Sequence, residues 1–220
     1  MSYKILNFFP EFVVVFKPAG MLSVPARDSN DPRQVLGKLL ELELNRQIFP
    51  VHRLDFEVAG IMLYALTPSM HKILSLGFEH QKIHKTYLAI AERHSQNFEL
   101  QEWKSLLIKG KKRTFEAPYG KASLTHAQTL ENLTFNAHKI SRWKLSPLTG
   151  RSHQLRYEMM KHQHVILGDT LYGSTLKRKE NQISLVSIQI TLPLELTQPP
   201  HNLPALFTLG TDQIDQALSL

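Results

Sequence analysis

One short, uninterrupted apolar run constrains this chain more than any other feature. Ile61-Met62-Leu63-Tyr64-Ala65-Leu66 follows Gly60 and offers no polar side to solvent, so as a strand it must be covered on both faces. Phe12-Val13-Val14-Val15-Phe16 is a second β-rich run, stopped by Lys17-Pro18-Ala19-Gly20. Neither approaches the ~20 apolar residues needed to cross a bilayer. Further strands are expected at Tyr87–Ile90, Trp143–Leu145 and Ile183–Leu194.

Helices are interspersed among these strands. Asp31-Pro32 reads as an N-cap followed by proline at the first helical position, with Val35, Leu36, Leu39 and Leu40 at helical spacing. Thr67-Pro68 repeats the signal ahead of Met70, Ile73, Leu74 and Phe78. Pro147 to Gly150 makes a turn, and a helix is expected after it, with Leu155 and Met159 on one face. The elements do not alternate as regular βαβ units, which argues for an α+β fold rather than a doubly wound one.

With 220 residues the chain can bury a core in one domain or two tightly joined lobes. Apolar residues make up 42% and charged residues 20%, as in an ordinary globular protein. The N-terminus lacks the continuous apolar segment of a signal peptide, so a cytoplasmic protein is expected. The absence of cysteine excludes disulfides, thiolate metal sites and cysteine nucleophiles. The formal charge is +7, from 26 Lys+Arg against 19 Asp+Glu, and the pI is about 9.6. That balance suits a polyanionic partner, or simply a basic soluble protein.

Several familiar chemistries have no footprint. His80 and His84 lack the glutamate and third ligand of a zinc hydrolase; they and the His162/His164 pair read as structural or RNA-facing, and no metal is expected. There is no G-x-G-x-x-G, Walker-type loop or G-x-S-x-G elbow, so no nucleotide cofactor is expected. Lys111-Lys112-Arg113 and Lys177-Arg178-Lys179 are short basic runs, each either a solvated loop or a set of phosphate contacts. Asp55 stands out. It lies just ahead of the buried run, with Arg53 nearby, and a carboxylate there needs a cation or hydrogen bonds. A structural salt bridge and a functional carboxylate both fit.

His52-Arg53-Leu54-Asp55, with Gly60 following, resembles the H-R-L-D signature of the RluA-type RNA pseudouridine synthases. Val15 to Pro25 resembles the N-K-P-x-G opening of that family, and Lys85-Thr86-Tyr87 its K-x-Y strand. Lys121, Ser123 and Thr125 resemble K-x-A-x-T, with serine in place of alanine. Gly150 to Arg156 resembles G-R-T-H-Q-I-R, and Ile166 to Gly173 the segment after it. The motifs occur in family order.

The resemblance implies a single catalytic domain over 1–220, without a separate N-terminal RNA-binding module. It would be built on a long mixed, mainly antiparallel sheet with flanking helices and a central basic cleft. It implies isomerisation of uridine in structured RNA, rRNA or tRNA, by a cofactor-free monomer with no membrane partner. Asp55 would be the nucleophile, Tyr87 the stacking and proton-transfer residue, and Arg156 the cation paired with Asp55. Arg53, His52, Lys85, Arg151, Lys111, Lys112 and Arg113 would contact substrate. The physical reading agrees, since isomerisation consumes no redox equivalent or phosphate bond. A carboxylate can add covalently to the sugar or abstract a proton from it, and both routes stay open.

There are departures. Phe56-Glu57-Val58-Ala59 replaces the usual residues between H-R-L-D and Gly60, so the Thr-Ser pair is lost. Tyr157-Glu158 stands where a hydrophobic residue and a histidine are common, and Val186-Ser187 where a histidine-alanine pair is expected. These changes motivate a second reading, an RNA-binding or RNA-folding protein of the same fold with impaired catalysis.

Overall fold

A computed structural model describes residues 2–179 and 181–218. Its centre is the pairing of β2 (Phe12–Lys17) with β4 (Ala59–Ala65), antiparallel strands in which every residue is buried. Alternate side chains leave opposite faces of a strand. Phe12, Val14, Phe16, Ile61 and Leu63 therefore enter one core layer, and Val13, Val15, Met62 and Tyr64 the other. The two-sided burial expected from the Ile61–Leu66 run is thus observed.

Among the described residues the sheet has eleven strands. Besides these two they are β1 (Lys4–Phe8), β3 (Phe49–Pro50), β5 (His84–Glu92), β6 (Gln101–Lys109), β7 (Thr114–Glu116), β8 (Lys121–Phe135), β9 (His138–Pro147), β10 (Leu185–Thr191) and β11 (Leu206–Thr208). Their main order is β1-β2-β4-β10-β5-β9-β8-β6-β7, with β3 on β4 and β11 on β10. Helices α1 (Leu36–Leu44), α2 (Pro68–Glu79), α3 (Gln154–Lys161), α4 (Leu194–Thr197) and α5 (Thr211–Leu218) flank it. Among the described residues β4–β10 is the one parallel pair in this ladder, so the sheet is mixed and mainly antiparallel. No described helix is long and apolar enough to cross a membrane.

Local signals hold unevenly. The Thr67 hydroxyl accepts from Met70 N at 3.2 Å and caps α2, with Pro68 in its first turn. The first helix does not begin at Asp31-Pro32. Asp31 instead binds the Arg33 guanidinium at 2.6 Å, and Val35 pairs with Leu22 in an extended bridge, so α1 starts only at Leu36. The strand expected at Ile183–Leu194 is shorter, β10 running from Leu185. It stops at Thr191 before Pro193, and Leu194 opens α4.

The parallel joint is tight. Ser187 of β10 pairs with Gly60 on one side and with Tyr87 on the other. Gly60 has φ +133°, and a Cβ there would meet Ser187 O at 2.3 Å and Ser187 Cα at 2.7 Å. Only glycine lets β4 approach β10 this closely. We expect Gly60→Ala to lower stability by roughly 2–5 kcal/mol through combined strain and overpacking. Urea denaturation checks this, and an unchanged midpoint would show that the joint relaxes freely.

Candidate active site

Asp55 sits in the irregular segment between β3 and β4, and its neighbours are fastened by the loop after β2. The Ser23 hydroxyl donates to Leu54 O at 2.8 Å and accepts from Leu54 N at 3.0 Å. Gly20 N donates to Phe56 O at 2.8 Å. The fully buried Lys17 ammonium reaches Met21 O at 2.7 Å, Pro18 O at 2.9 Å and Phe56 O at 3.5 Å. Burial pulls Lys17 down to about 7, against the nearby charges of Asp55 and Glu57. The K-P-x-G opening is therefore the scaffold of the Asp55 segment, a role its sequence alone did not reveal.

Arg156 approaches from α3 and is 2% exposed. Its Nη1 lies 3.7 Å from Asp55 Oδ2, but its short bonds go elsewhere. Nε and Nη2 grip the two oxygens of the buried Asp169 at 2.7 and 2.8 Å, and Nη1 reaches Glu57 Oε2 at 3.1 Å. A guanidinium carries five N–H donors, and here its Nε/Nη2 face is the bidentate one. Asp169 takes it, so Asp55 and Glu57 share the remaining nitrogen. Burial opposes the charge on Arg156, yet the hydrogen bonds and charge of Asp169, with Glu57 and Asp55, raise its pKa above the ordinary value. The expected simple Arg156–Asp55 pair is in fact an arginine among three carboxylates.

An open cleft of about 270 Å³ lies over Asp55. Arg53, Lys85, Lys109, Arg151 and Arg156 line it, with Asp55 the single carboxylate among the described lining residues and Tyr87 on the wall. Tyr87 is 6% exposed, and burial together with the Asp55 charge raises its pKa, keeping the phenol protonated. Lys85 is half-buried, and burial brings its ammonium down to about 8. Gln154 staples the turn carrying Arg151. Its amide oxygen accepts from Thr149 Oγ1 at 2.8 Å and Arg151 N at 3.0 Å, while its nitrogen donates to Thr125 Oγ1 at 2.9 Å and Leu124 O at 3.1 Å.

Some expected contacts are not brought into the cleft. His52 accepts from Leu63 N at 2.9 Å and packs on Phe78, with ring centroids 4.5 Å apart. Burial, helped by Lys85, holds it neutral with a pKa of about 3, so its ring nitrogen serves the β4 backbone. Lys111, Lys112 and Arg113 sit on the turn between β6 and β7, outside the cleft lining, and Lys109 takes the place expected of them. His80 and His84 fall at the end of α2 and the start of β5, so they share no helix face. His162 stacks on Trp103 at 4.2 Å, and His164 packs on Trp143 at 4.6 Å. Val58, where a hydroxyl was expected, is 2% exposed and packs in the layer that holds Leu54 and Tyr87.

Asp169, Glu57 and His153 belong to the site but had been assigned no role. Asp169 and His153 lie inside recognised motifs; what they touch depends on chain segments far apart in sequence. Removing Arg156 strands Asp169 as a buried charge. We expect Arg156→Met to cost about 3–5 kcal/mol of stability, and Arg156→Met/Asp169→Leu to recover most of it. Equilibrium urea unfolding of the two proteins checks this; a single variant as stable as wild type would make the ion pair structurally dispensable.

Known proteins resemble this chain in sequence and in fold. Residues 11–162 match the family model described as RNA pseudouridylate synthase. The chain is 34% identical over 187 residues to tRNA pseudouridine synthase C of Haemophilus ducreyi, covering 79% of this chain and 75% of that protein. It is 31% identical over 207 residues to the dual-specificity RNA pseudouridine synthase RluA of Yersinia pestis, covering 89% and 92%. In fold it resembles human RNA pseudouridylate synthase domain containing 1, with a TM-score of 0.76 and 24% identity over 99% of this chain and 94% of that one. Cleft, sheet and sequence converge: the chain belongs to the RluA-type RNA pseudouridylate synthase family.

Proposed function

We propose that this RNA pseudouridine synthase acts on uridine in tRNA or rRNA as one catalytic domain spanning 1–220, with Asp55 as its nucleophile. The observation that carries the assignment is the placement of Asp55 as the one carboxylate among the described residues of a cation-lined cleft, beside Tyr87. A target uridine must leave its stack to reach such a cleft, at a cost of a few kcal/mol. Stacking on Tyr87 returns ~1–3 kcal/mol. Arg53, Lys85, Lys109 and Arg151 supply phosphate contacts around the mouth. The bond from N1 to the sugar breaks, the base turns, and C5 bonds to the same sugar carbon. The C5 hydrogen leaves as a proton and N1, freed from the sugar, gains one, so the isomerisation balances and is redox-neutral. Asp55 serves either by adding to the sugar or by taking a sugar proton. One similar protein carries tRNA in its name and another dual specificity for RNA, which supports testing tRNA first.

The reading of a binding protein without catalysis rested on the lost Thr-Ser pair. Val58 fills core space, and Asp55, Tyr87 and Arg156 all remain, which favours the enzyme.

Asp55→Asn keeps the shape and removes the charge. It should abolish tritium release from RNA labelled at uridine C5 while filter-binding affinity persists. Appreciable turnover by that variant would sink the assignment. Tyr87→Phe keeps the stacking face and should slow single-turnover chemistry with near-normal binding, whereas Tyr87→Ala should damage both. Full activity in Tyr87→Phe would leave stacking as the only role of this residue.

A further inference from the structure

His153 is the least explained residue of the cleft. It forms the N-cap of α3 in a left-handed conformation, φ 49° and ψ 25°, and its side chain caps nothing. Non-glycine residues held there are sparse and gather at functional sites. Its ring spans two groups. Nε2 lies 3.9 Å from Asp55 Oδ2, and Nδ1 lies 3.2 Å from the Tyr172 hydroxyl. Tyr172 is 4% exposed, and its ring lies under Arg156, 5.4 Å from centroid to guanidinium carbon.

The hydroxyl decides which ring nitrogen carries the proton. Its oxygen already accepts from Thr114 N at 2.8 Å. Its own proton has two acceptors in range, Thr114 O at 3.4 Å and His153 Nδ1 at 3.2 Å, and the histidine is nearer. A ring that accepts at Nδ1 bears its proton on Nε2, which faces Asp55. The charged groups around it are Asp55 and Glu57 from the segment before β4, Arg156 from α3, and Asp169 beyond α3. Burial, aided by Arg156, outweighs the three carboxylates and keeps the ring neutral at pH 7. At 3.9 Å the pair is longer than a hydrogen bond, and catalytic hydrogen bonds often tighten only when substrate is bound.

We propose that His153 is a positioning residue that aims the Asp55 carboxylate through its Nε2–H, with Tyr172 fixing the tautomer. The proposal rests on Asp55 as the nucleophile. The same hydroxyl fastens the start of β7, and Thr114 Oγ1 donates to Ser152 O at 2.7 Å, so the basic turn between β6 and β7 is tied to the residues that hold the nucleophile.

The test joins rates with a signal independent of activity. His153→Gln places an amide donor near the position of Nε2; His153→Leu removes it; Tyr172→Phe removes only the hydroxyl. We expect His153→Leu to slow single-turnover tritium release on the order of 10²-fold, as misaim by about 1 Å does, with RNA affinity unchanged. Gln should restore most of the rate. Tyr172→Phe should slow the reaction too, and His153→Leu/Tyr172→Phe should be no slower than His153→Leu, because both act through one hydrogen bond. Nitrogen-15 spectra of the free protein should show His153 as the Nε2–H tautomer, lost in Tyr172→Phe. An Nδ1–H tautomer in wild type overturns the proposal even if the enzyme is active. So does a His153→Leu rate equal to wild type, or a Gln variant as slow as Leu. Asp55→Asn on the same RNA reports on the underlying reading. Should it turn over like wild type, the nucleophile assignment fails, whatever the tautomer.

Discussion

The site depends on one buried cation. Arg156 has almost no solvent of its own, so its charge persists only because Asp169 meets it with both oxygens and Glu57 and Asp55 stand nearby. A buried ion pair of this kind is weak evidence of stability, yet removing either partner alone is costly. Asp169 lies just before the 3-10 turn Thr170–Tyr172, and Arg156 lies on α3. Their fork therefore sets the angle between that helix and the turn, and with it the positions of His153 and Tyr172.

A second basic side chain is buried at the same segment. Lys17 lies beneath the Asp55–Glu57 segment and Arg156 beside it, and both feel the charges of Asp55 and Glu57. Lys17 addresses backbone carbonyls and fixes where the segment runs; Arg156 addresses side chains and fixes what they face. The carboxylate is thus held between the fixed charge of Arg156 and the desolvated Lys17, whose pKa of about 7 leaves it only partly charged at neutral pH, while the cleft above stays open to a polyanion. Field lines from such buried charges are poorly screened and are focused through the opening.

Much of this was legible in the chain. The apolar run after Gly60 required a two-sided strand, and Thr67-Pro68 required a helix start; both follow from local chemistry. The motifs located Asp55, Tyr87 and Arg156 near one another. What stayed hidden depends on distance in space. Nothing local says that Arg156 spends its fork on Asp169, that His52 serves the β4 backbone, or that Lys109 enters the cleft while Lys111 does not. The Asp31-Pro32 signal misled because Asp31 had a guanidinium two residues away to satisfy it, leaving Val35 free to pair with Leu22. Capping propensity competes with every other partner an aspartate can find.

The line Gly60–Ser187–Tyr87 across β4, β10 and β5 has a consequence for how the molecule comes into being. Strands β4 and β5 are made early, yet the strand that joins them is among the last. At about 5–20 residues per second of synthesis, the nascent chain holds those two strands for several seconds or more before β10 can enter between them. Through that interval β4 has β2 on one side, and on the other β3 and His52 cover Leu63 to Ala65 while the Ala59–Gly60 end waits for β10. Contacts this far apart in sequence also slow folding once the chain is complete. The joint across β4, β10 and β5 therefore closes only late in synthesis, and the uncovered Ala59–Gly60 end of β4 is where a partly made molecule is most open to pairing with the wrong strand.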